Sequence, residues 1–474
     1  MTAFVAAGCS PHEVRVSHEP AVEIPTTLLP LDEQPELPGV VAPDQWWTAF
    51  NDPGLDQALT RSFSENLNLA QAWARLEQAR AQARIQGAYL YPEVNVDAAA
   101  SRSRQTGGNG DAFYGNRFAI GVGLTWELDL WKKIANRTEA AQLLANASRD
   151  DAEQTALLLS GTVVDLWFDI QEQEQLLRVL NQQIELSKQQ LELIELRYGQ
   201  GIGDALQVIQ QRLQVAQVQA EIPLVASTLA TSRNQLAVVM GQPPQSANPD
   251  QPDSMLPDLP AFPQLPAPSD LLESRPDLRA SHARLAAADY EVAAAIANQL
   301  PTIRFSLDGG FSSPNVSSLF ENTVGSIAGS LLQPVFDGNR REAEVDRRKA
   351  IVRERTISFS QEFLVALREI EDAIDREKFQ ADLLDQVINQ LDLARRNLEE
   401  SKIRFGQGQT EYLDVIIAIQ TLQRLERQEV TVRRGLLANR ASLYVAIGGQ
   451  WTRELEPDHQ SMQASTPESG KPQS

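Results

Sequence analysis

Arg197-Tyr198-Gly199-Gln200-Gly201 recurs 207 positions later as Arg404-Phe405-Gly406-Gln407-Gly408, and this repetition constrains the fold more than any other feature of the chain. The same register pairs Leu206, Val208 and Ile209 with Leu413, Val415 and Ile416. It also pairs Arg233, Leu236 and Gly241 with Arg440, Leu443 and Gly448. Upstream the offset drifts by one or two: Asp129 matches Asp337, Pro92 matches Pro301, and Arg75-Leu76 matches Arg284-Leu285. The chain therefore reads as two copies of one unit, 44–242 and 269–450. The proline-rich stretch 243–268 joins them and reads as extended linker.

Each copy predicts the order helix, strand, loop, strand, long helix, tight turn, returning helix. In the first, Asn66–Ala88 is rich in helix formers and stops at Tyr91-Pro92. Strands follow at about 93–105 and 117–131, separated by the flexible Gly107–Gly110. In Arg117–Trp131, Phe118, Ile120, Val122, Leu124, Trp126, Leu128 and Leu130 alternate with small or polar residues, a strict period of two. Such a run exceeds the ~5–6 residues of an ordinary strand and suits the ~9–11 of a membrane-spanning one. The second copy places strands at about 302–313 and 324–336. The segments 136–198 and 341–405 lack Pro, contain at most Gly161, and keep a sustained Leu/Val/Ile period. At ~1.5 Å per residue, a helix of this length runs about 90 Å. Each turns at an Arg-(Tyr/Phe)-Gly-Gln-Gly element and returns, over 204–240 and 411–447, as an antiparallel coiled-coil hairpin. Pro223 is expected to kink the first returning helix. The polar residues 451–474 read as a disordered tail.

Charge and composition narrow the function. Forty-two basic residues against 63 acidic give a net charge of −21, and no basic run is present, which excludes a nucleic-acid partner. Four His and one Cys leave no resident metal site or disulfide framework. No segment approaches the ~18–20 apolar residues of a spanning helix, but alternating barrel strands escape that criterion. No nucleophile elbow, P-loop, HExxH or dinucleotide fingerprint is present, so the reading is of a protein that is not an enzyme and needs no cofactor. The one cysteine, Cys9, follows Gly8 at the end of a short apolar run, which resembles a bacterial lipobox; the bland reading is a small buried cysteine. Residues 1–9 then read as a short signal and 10–43, rich in Pro and Glu, as an extended tether.

Four barrel-length strands cannot close a barrel alone, and open strand edges are not tolerated in lipid, so if these strands span a membrane several chains must share one barrel. The sequence here resembles the TolC-like outer membrane factor family, in its OprM/NodT-type lipoprotein branch, over nearly all of Trp46–Gly449. The resemblance rests on Trp47-Thr48-Ala49-Phe50-Asn51-Asp52-Pro53, Trp126-Glu127-Leu128-Asp129-Leu130-Trp131, Glu273-Ser274-Arg275-Pro276-Asp277-Leu278-Arg279-Ala280 and Gln333-Pro334-Val335-Phe336-Asp337-Gly338. It implies an α+β membrane protein of two structural repeats. Three chains would each give four strands to one outer-membrane β-barrel, continued by a long periplasmic α-helical barrel. It implies the outer-membrane subunit of a tripartite efflux system in a Gram-negative bacterium. That subunit is a passive conduit docking a periplasmic adaptor and an inner-membrane pump, with a lipid anchor on Cys9 in the outer-membrane lipid.

By the same resemblance, the periplasmic aperture is lined from the helix after the second glycine turn. Asp414 takes the matching position, beside Glu411. Ile417 stands where the family carries a second Asp, and Gln207 aligns with Asp414 in the first copy. Threefold repetition makes a carboxylate ring that favours cations. Read locally, the same acids are ordinary first-turn residues favoured by the helix dipole. Arg197, Gly199 and Gly201, with Arg404, Gly406 and Gly408, are the implied adaptor-contact turns. Trp126 and Trp131 fit either an interfacial aromatic girdle or packing at the strand–helix junction. A periplasmic coiled-coil adaptor or scaffold is the competing reading, disfavoured by the duplicated strand pairs. The exported cargo is not written in the residues.

Overall fold

The structure, a computed structural model, describes residues 12–14, 22, 40–106, 112–244 and 255–456. Cys9 and the Gly107–Gly110 loop lie outside the described residues, as do most of the tether, part of the linker and the chain beyond Glu456. The chain divides into two compact units, one of residues 1–23, 74–150 and 279–362, the other of 24–73, 151–278 and 363–474. Among the described residues no helix is long and apolar enough to cross a membrane.

The first unit holds an antiparallel sheet in the order β1 (Glu93–Thr106), β2 (Ala112–Leu128), β3 (Thr302–Ser313), β4 (Thr323–Leu332). Register decides its chemistry, because residues directly opposite share a face. One face carries Val94, Leu124, Leu307 and Ile327 in one row and Val96, Val122, Gly309 and Gly325 in the next. The other carries Asn95, Gly123, Asp308 and Ser326, then Asp97, Gly121, Gly310 and Val324. Large side chains on the apolar face, among them Val96, Phe305 and Ile327, are exposed. β1 and β4 pair on one side only and are the open edges.

Two strands end earlier than their alternation predicts. β2 stops at Leu128, not 131, because Asp129 turns to cap the next helix: its Oδ1 accepts from Ile134 N at 2.9 Å and its Oδ2 from Ala135 N at 2.7 Å. Helix α3 (Lys133–Gly199) accordingly starts at Lys133 rather than 136. β4 ends at Leu332 rather than 336, before Pro334, which has no N–H to give a ladder. Both tryptophans mark the junction: Trp126 Nε1 donates to Leu90 O at 3.0 Å and Trp131 Nε1 to Pro301 O at 2.8 Å.

The remaining helices are α1 (Pro53–Glu65), α2 (Leu67–Ala88), α4 (Ala205–Val239), α5 (Leu271–Ser274), α6 (Pro276–Ala297), α7 (Arg340–Gly406) and α8 (Tyr412–Ile447). α3 (Lys133–Gly199) and α7 are 67 residues each, unbroken as their lack of proline permits. Pro223 does not end α4. The carbonyl it leaves without a donor belongs to Gln219, at an exposed position where water can serve.

In the second unit an aromatic nest closes the core. Trp47 meets Trp451 edge-on at 4.8 Å, Phe63 lies 5.1 Å from Trp451, and Trp46 stacks on Tyr444 at 5.4 Å. Trp451–Leu455 is thus a short 3-10 helix with Trp451 buried, which corrects the reading of 451–474 as tail from its first residue. Asp52 explains the Asn-Asp-Pro motif. Its Oδ1 caps α1 through Gly54 N and Leu55 N, while Oδ2 accepts from Trp167 Nε1 at 2.8 Å and Gln171 Nε2 at 3.0 Å. Arg275 of the Glu-Ser-Arg-Pro-Asp motif is buried, pairing with Asp277 at 2.7 Å and Glu369 at 2.8 Å and donating to Ala446 O at 2.9 Å.

Candidate functional site at the hairpin tips

α3 and α7 stop by the same closure. Gly201 N donates to Tyr198 O at 2.9 Å and Ile202 N to Arg197 O at 3.0 Å; Gly408 N donates to Phe405 O at 3.0 Å and Gln409 N to Arg404 O at 2.9 Å. These are Schellman-type ends that need a left-handed residue, supplied by Gly201 at φ +77° and Gly408 at φ +73°. Gly199 and Gly406 differ: each closes its helix, and a side chain there would meet nothing. Neither backbone conformation nor packing within the chain demands glycine at those two exposed positions.

Behind the turns, Ile194, Val208, Tyr412, Val415, Ile416 and Ile419 form a buried cluster that joins α3, α4 and α8. The Arg197 guanidinium lies over the Phe405 ring, 4.8 Å from its centre, so one glycine turn holds the other. Next to the cluster the packing becomes polar. Tyr412 Oη donates to Gln211 Oε1 at 2.8 Å, and Gln211 Nε2 donates to Ser187 O at 2.8 Å. Gln214 Nε2 donates to Gln423 Oε1 at 2.7 Å, Gln420 Nε2 to Gln214 Oε1 at 2.7 Å, and Gln183 Nε2 to Gln423 O at 3.0 Å. Burial pushes the Tyr412 hydroxyl up to about 12, so it stays a donor at any physiological pH. Tyr412→Phe leaves Gln211 Oε1 buried without its donor. It is expected to lower the unfolding free energy by about 1–3 kcal/mol, measured by denaturant titration in detergent.

Asp414, Glu411 and Ile417 all lie on the exposed side of the first turns of α8, with Ile417 one turn beyond Asp414. Asp414 accepts a hydrogen bond from Thr410 Oγ1, which aims the carboxylate along the turn. Glu411 is the N-cap residue but its side chain caps nothing. Gln207 is half-buried on α4, and its Oε1 is buried without a partner among the described residues. Arg404 is exposed and paired to Glu400 at 2.7 Å, whereas Arg197 is half-buried against Phe405.

Two features escaped the sequence reading. The glutamine network was visible as the i, i+3 pairs Gln211/Gln214 and Gln420/Gln423, a spacing that puts both amides on one helix face. The charged side of the sheet was visible as the polar half of the alternation. There Arg304 meets Glu127 at 3.1 Å, Lys133 also binds Glu127, Ser326 Oγ donates to Asp308 at 3.2 Å, and Arg117 Nε donates to Ser312 Oγ at 3.2 Å. Among the described residues no three His, Cys, Asp or Glu are placed to hold a metal ion.

Comparison with known proteins decides the family. The outer membrane efflux protein family matches residues 58–242 and 267–449. The chain belongs to it. A pyoverdine export outer membrane protein, OpmQ of Pseudomonas putida, is 30% identical over 423 residues, covering 86% of this chain and 89% of the relative. The probable outer membrane lipoprotein SilC of Salmonella typhimurium is 25% identical over 95% of this chain and 97% of its own. The outer-membrane channel OprN superposes with a TM-score of 0.86 at 26% identity, covering 94% of this chain and all of OprN. The efflux protein is therefore an outer-membrane channel of an efflux system, and the scaffold reading is set aside.

Proposed function

We propose that three copies of this efflux protein share one twelve-stranded outer-membrane barrel, with the two repeats of each chain supplying two strands and one helical hairpin apiece. One observation carries this: a sheet apolar on one exposed face along Val94–Ala100 of β1 and Phe118–Leu128 of β2, small or polar on the other, with both edges open. In lipid the apolar face has a solvent, but the unpaired N–H and C=O groups of β1 and β4 do not. Pairing β4 of one copy with β1 of the next satisfies both edges, and a threefold ring closes the sheet. The polar face, with Asp97, Asp308 and Arg117, then lines the water-filled lumen.

In this reading the hairpins form the periplasmic tunnel, and the channel is a passive conduit without catalytic groups or cofactor. A periplasmic adaptor meets the turns Arg197–Gly201 and Arg404–Gly408, and an inner-membrane pump drives the cargo. The open space around Gly199 and Gly406 favours a surface that another protein approaches closely. Asp414 and Glu411 line the aperture, with Ile417 and Gln207 leaving it less charged than a ring of two acids per chain. Cys9, acylated, anchors the chain in the membrane. The relatives' names span pyoverdine, toluene and cation export, so this conduit does not itself fix the cargo.

Single-channel recording in planar bilayers tests the aperture. The purified protein is expected to give a cation-preferring channel, and Asp414→Asn to reduce that preference. Unchanged selectivity removes Asp414 from the aperture; a protein that forms no channel removes the shared barrel.

A further inference from the structure

We infer that Val335 and Phe336 of one copy seat on the Tyr89–Tyr91 turn of the next copy, an aromatic clasp at the base of the barrel; the inference rests on the shared-barrel reading. Val335 and Phe336 follow β4 and are almost wholly exposed, at 95% and 88%. Two adjacent large apolar residues, so bare in a segment without secondary structure, are unfinished packing. Tyr91, 73% exposed, and Tyr89 stand just before β1, at the opposite edge of the sheet. Their turn is fixed rather than loose: Leu90 N donates to Gly87 O at 3.2 Å, Tyr91 N to Ala88 O at 3.1 Å, and Leu90 O accepts from Trp126 Nε1 at 3.0 Å.

The pairing between copies follows from polarity and parity. β1 and β4 run antiparallel, so the end of β4 meets the beginning of β1. Even-numbered residues of β1 and odd-numbered residues of β4 share the apolar face, since Val94 lies in one row with Ile327. A register with level ends and matched faces sets Glu93 opposite Leu332. Just past the paired ends, it brings the Tyr89–Tyr91 turn of one copy level with Pro334–Phe336 of the other. The next register that keeps the faces lies two residues along. In both, Phe336 falls level with the turn that carries Tyr89 and Tyr91.

Within one chain this contact cannot form. β1 and β4 are separated by two strands, about 14 Å at ~4.8 Å per strand, whereas a disulfide needs Cα atoms within ~7 Å. The test is oxidation of the detergent-purified full chain by copper phenanthroline. The paired variants are Tyr89→Cys with Phe336→Cys and Tyr91→Cys with Phe336→Cys, and the single variants are controls that also account for Cys9. One pair is expected to convert most of the monomer band to covalent dimer and trimer on non-reducing denaturing gels, with the singles unchanged. Particles that are trimeric by light scattering, yet give no covalent ladder from either pair, overturn the clasp and leave the shared barrel standing. Monomeric particles from the unsubstituted chain overturn both. Phe336→Ala gives a second readout, lowering the temperature at which trimers dissociate on semi-native gels; an unchanged temperature also overturns the clasp.

Discussion

Arg440→Met is expected to lower the unfolding free energy by about 3–5 kcal/mol, because it strips the partner from a buried carboxylate. Arg440 is 3% exposed at its side chain; its Nε and Nη2 grip Glu377 at 2.7 and 2.5 Å. Nη1 donates to Ala261 O at 2.7 Å and to Pro260 O, so the same guanidinium ties the proline-rich backbone at 260–261 to α8. The Phe262 ring lies 5.3 Å from its centre. A lysine cannot reproduce this fork, and Arg440→Lys is expected to recover little. Replacing Glu377 by Met as well removes the orphaned charge and is expected to restore much of the loss. Arg233, 207 positions upstream, supplies a control. It pairs with Glu174 at 2.6 Å but is 35% exposed, so water can reach the site it vacates, and Arg233→Met is expected to cost clearly less than Arg440→Met. Thermal melts of the helical signal in detergent compare the four variants. Equal losses at Arg440 and Arg233 would sink the argument from burial.

Gly241→Val is expected to be comparably severe, at about 2–5 kcal/mol, through a different cause. Gly241 closes α4 at φ +72°, where a β-branched residue is strained. A Cβ there would stand 2.1 Å from Glu65 O, which is backbone and cannot swing aside. Gly448 repeats the arrangement at the end of α8, with φ +80° and a Cβ position 2.5 Å from Ser274 O. Both glycines let a returning helix end directly against the last residue of a short helix, Glu65 of α1 and Ser274 of α5. The same melts apply, with Gly199→Val as the comparison: it faces open space and should leave the midpoint near the wild type. A Gly241 variant as stable as the Gly199 variant would refute this account.

The strands and long helices were legible because their periods are long and strict. Phe118 to Leu128 hold a two-residue alternation that nothing else produces so cleanly. The errors fall where one period shades into a different local demand. Leu130 and Trp131 continue the alternation of β2, but Asp129 is needed as a helix cap and Lys132 takes a positive φ of 58°, so the strand ends first. α1 went unread although Asp52-Pro53 is a sound start signal, because its span is short and follows an irregular aromatic segment. Trp451 could not be placed from a one-turn helix without a period; its burial is decided by Trp47 and Phe63, nearly four hundred residues away in the chain. At the tips, the first-turn placement of Asp414 and Glu411 was readable from the repeat. That Gln207 turns inward was not, since facing depends on how α4 rolls against α8.

The glutamines behind the tips bear on how the hairpins come apart. Where Phe363, Ile370 and Leu443 pack together, parting the helices would wet hydrocarbon, and resistance grows with every square ångström exposed. Between Gln183 and Gln423 the seam is made of amides, and an amide that loses its partner finds another in water at a net loss of only ~0.5–1.5 kcal/mol per bond. The amide seam beyond the Ile194–Ile419 cluster therefore behaves as a fastener rather than a weld: it can unzip, hydrate and reseat in the same register while the hydrocarbon-packed stretch of α7 and α8 stays shut.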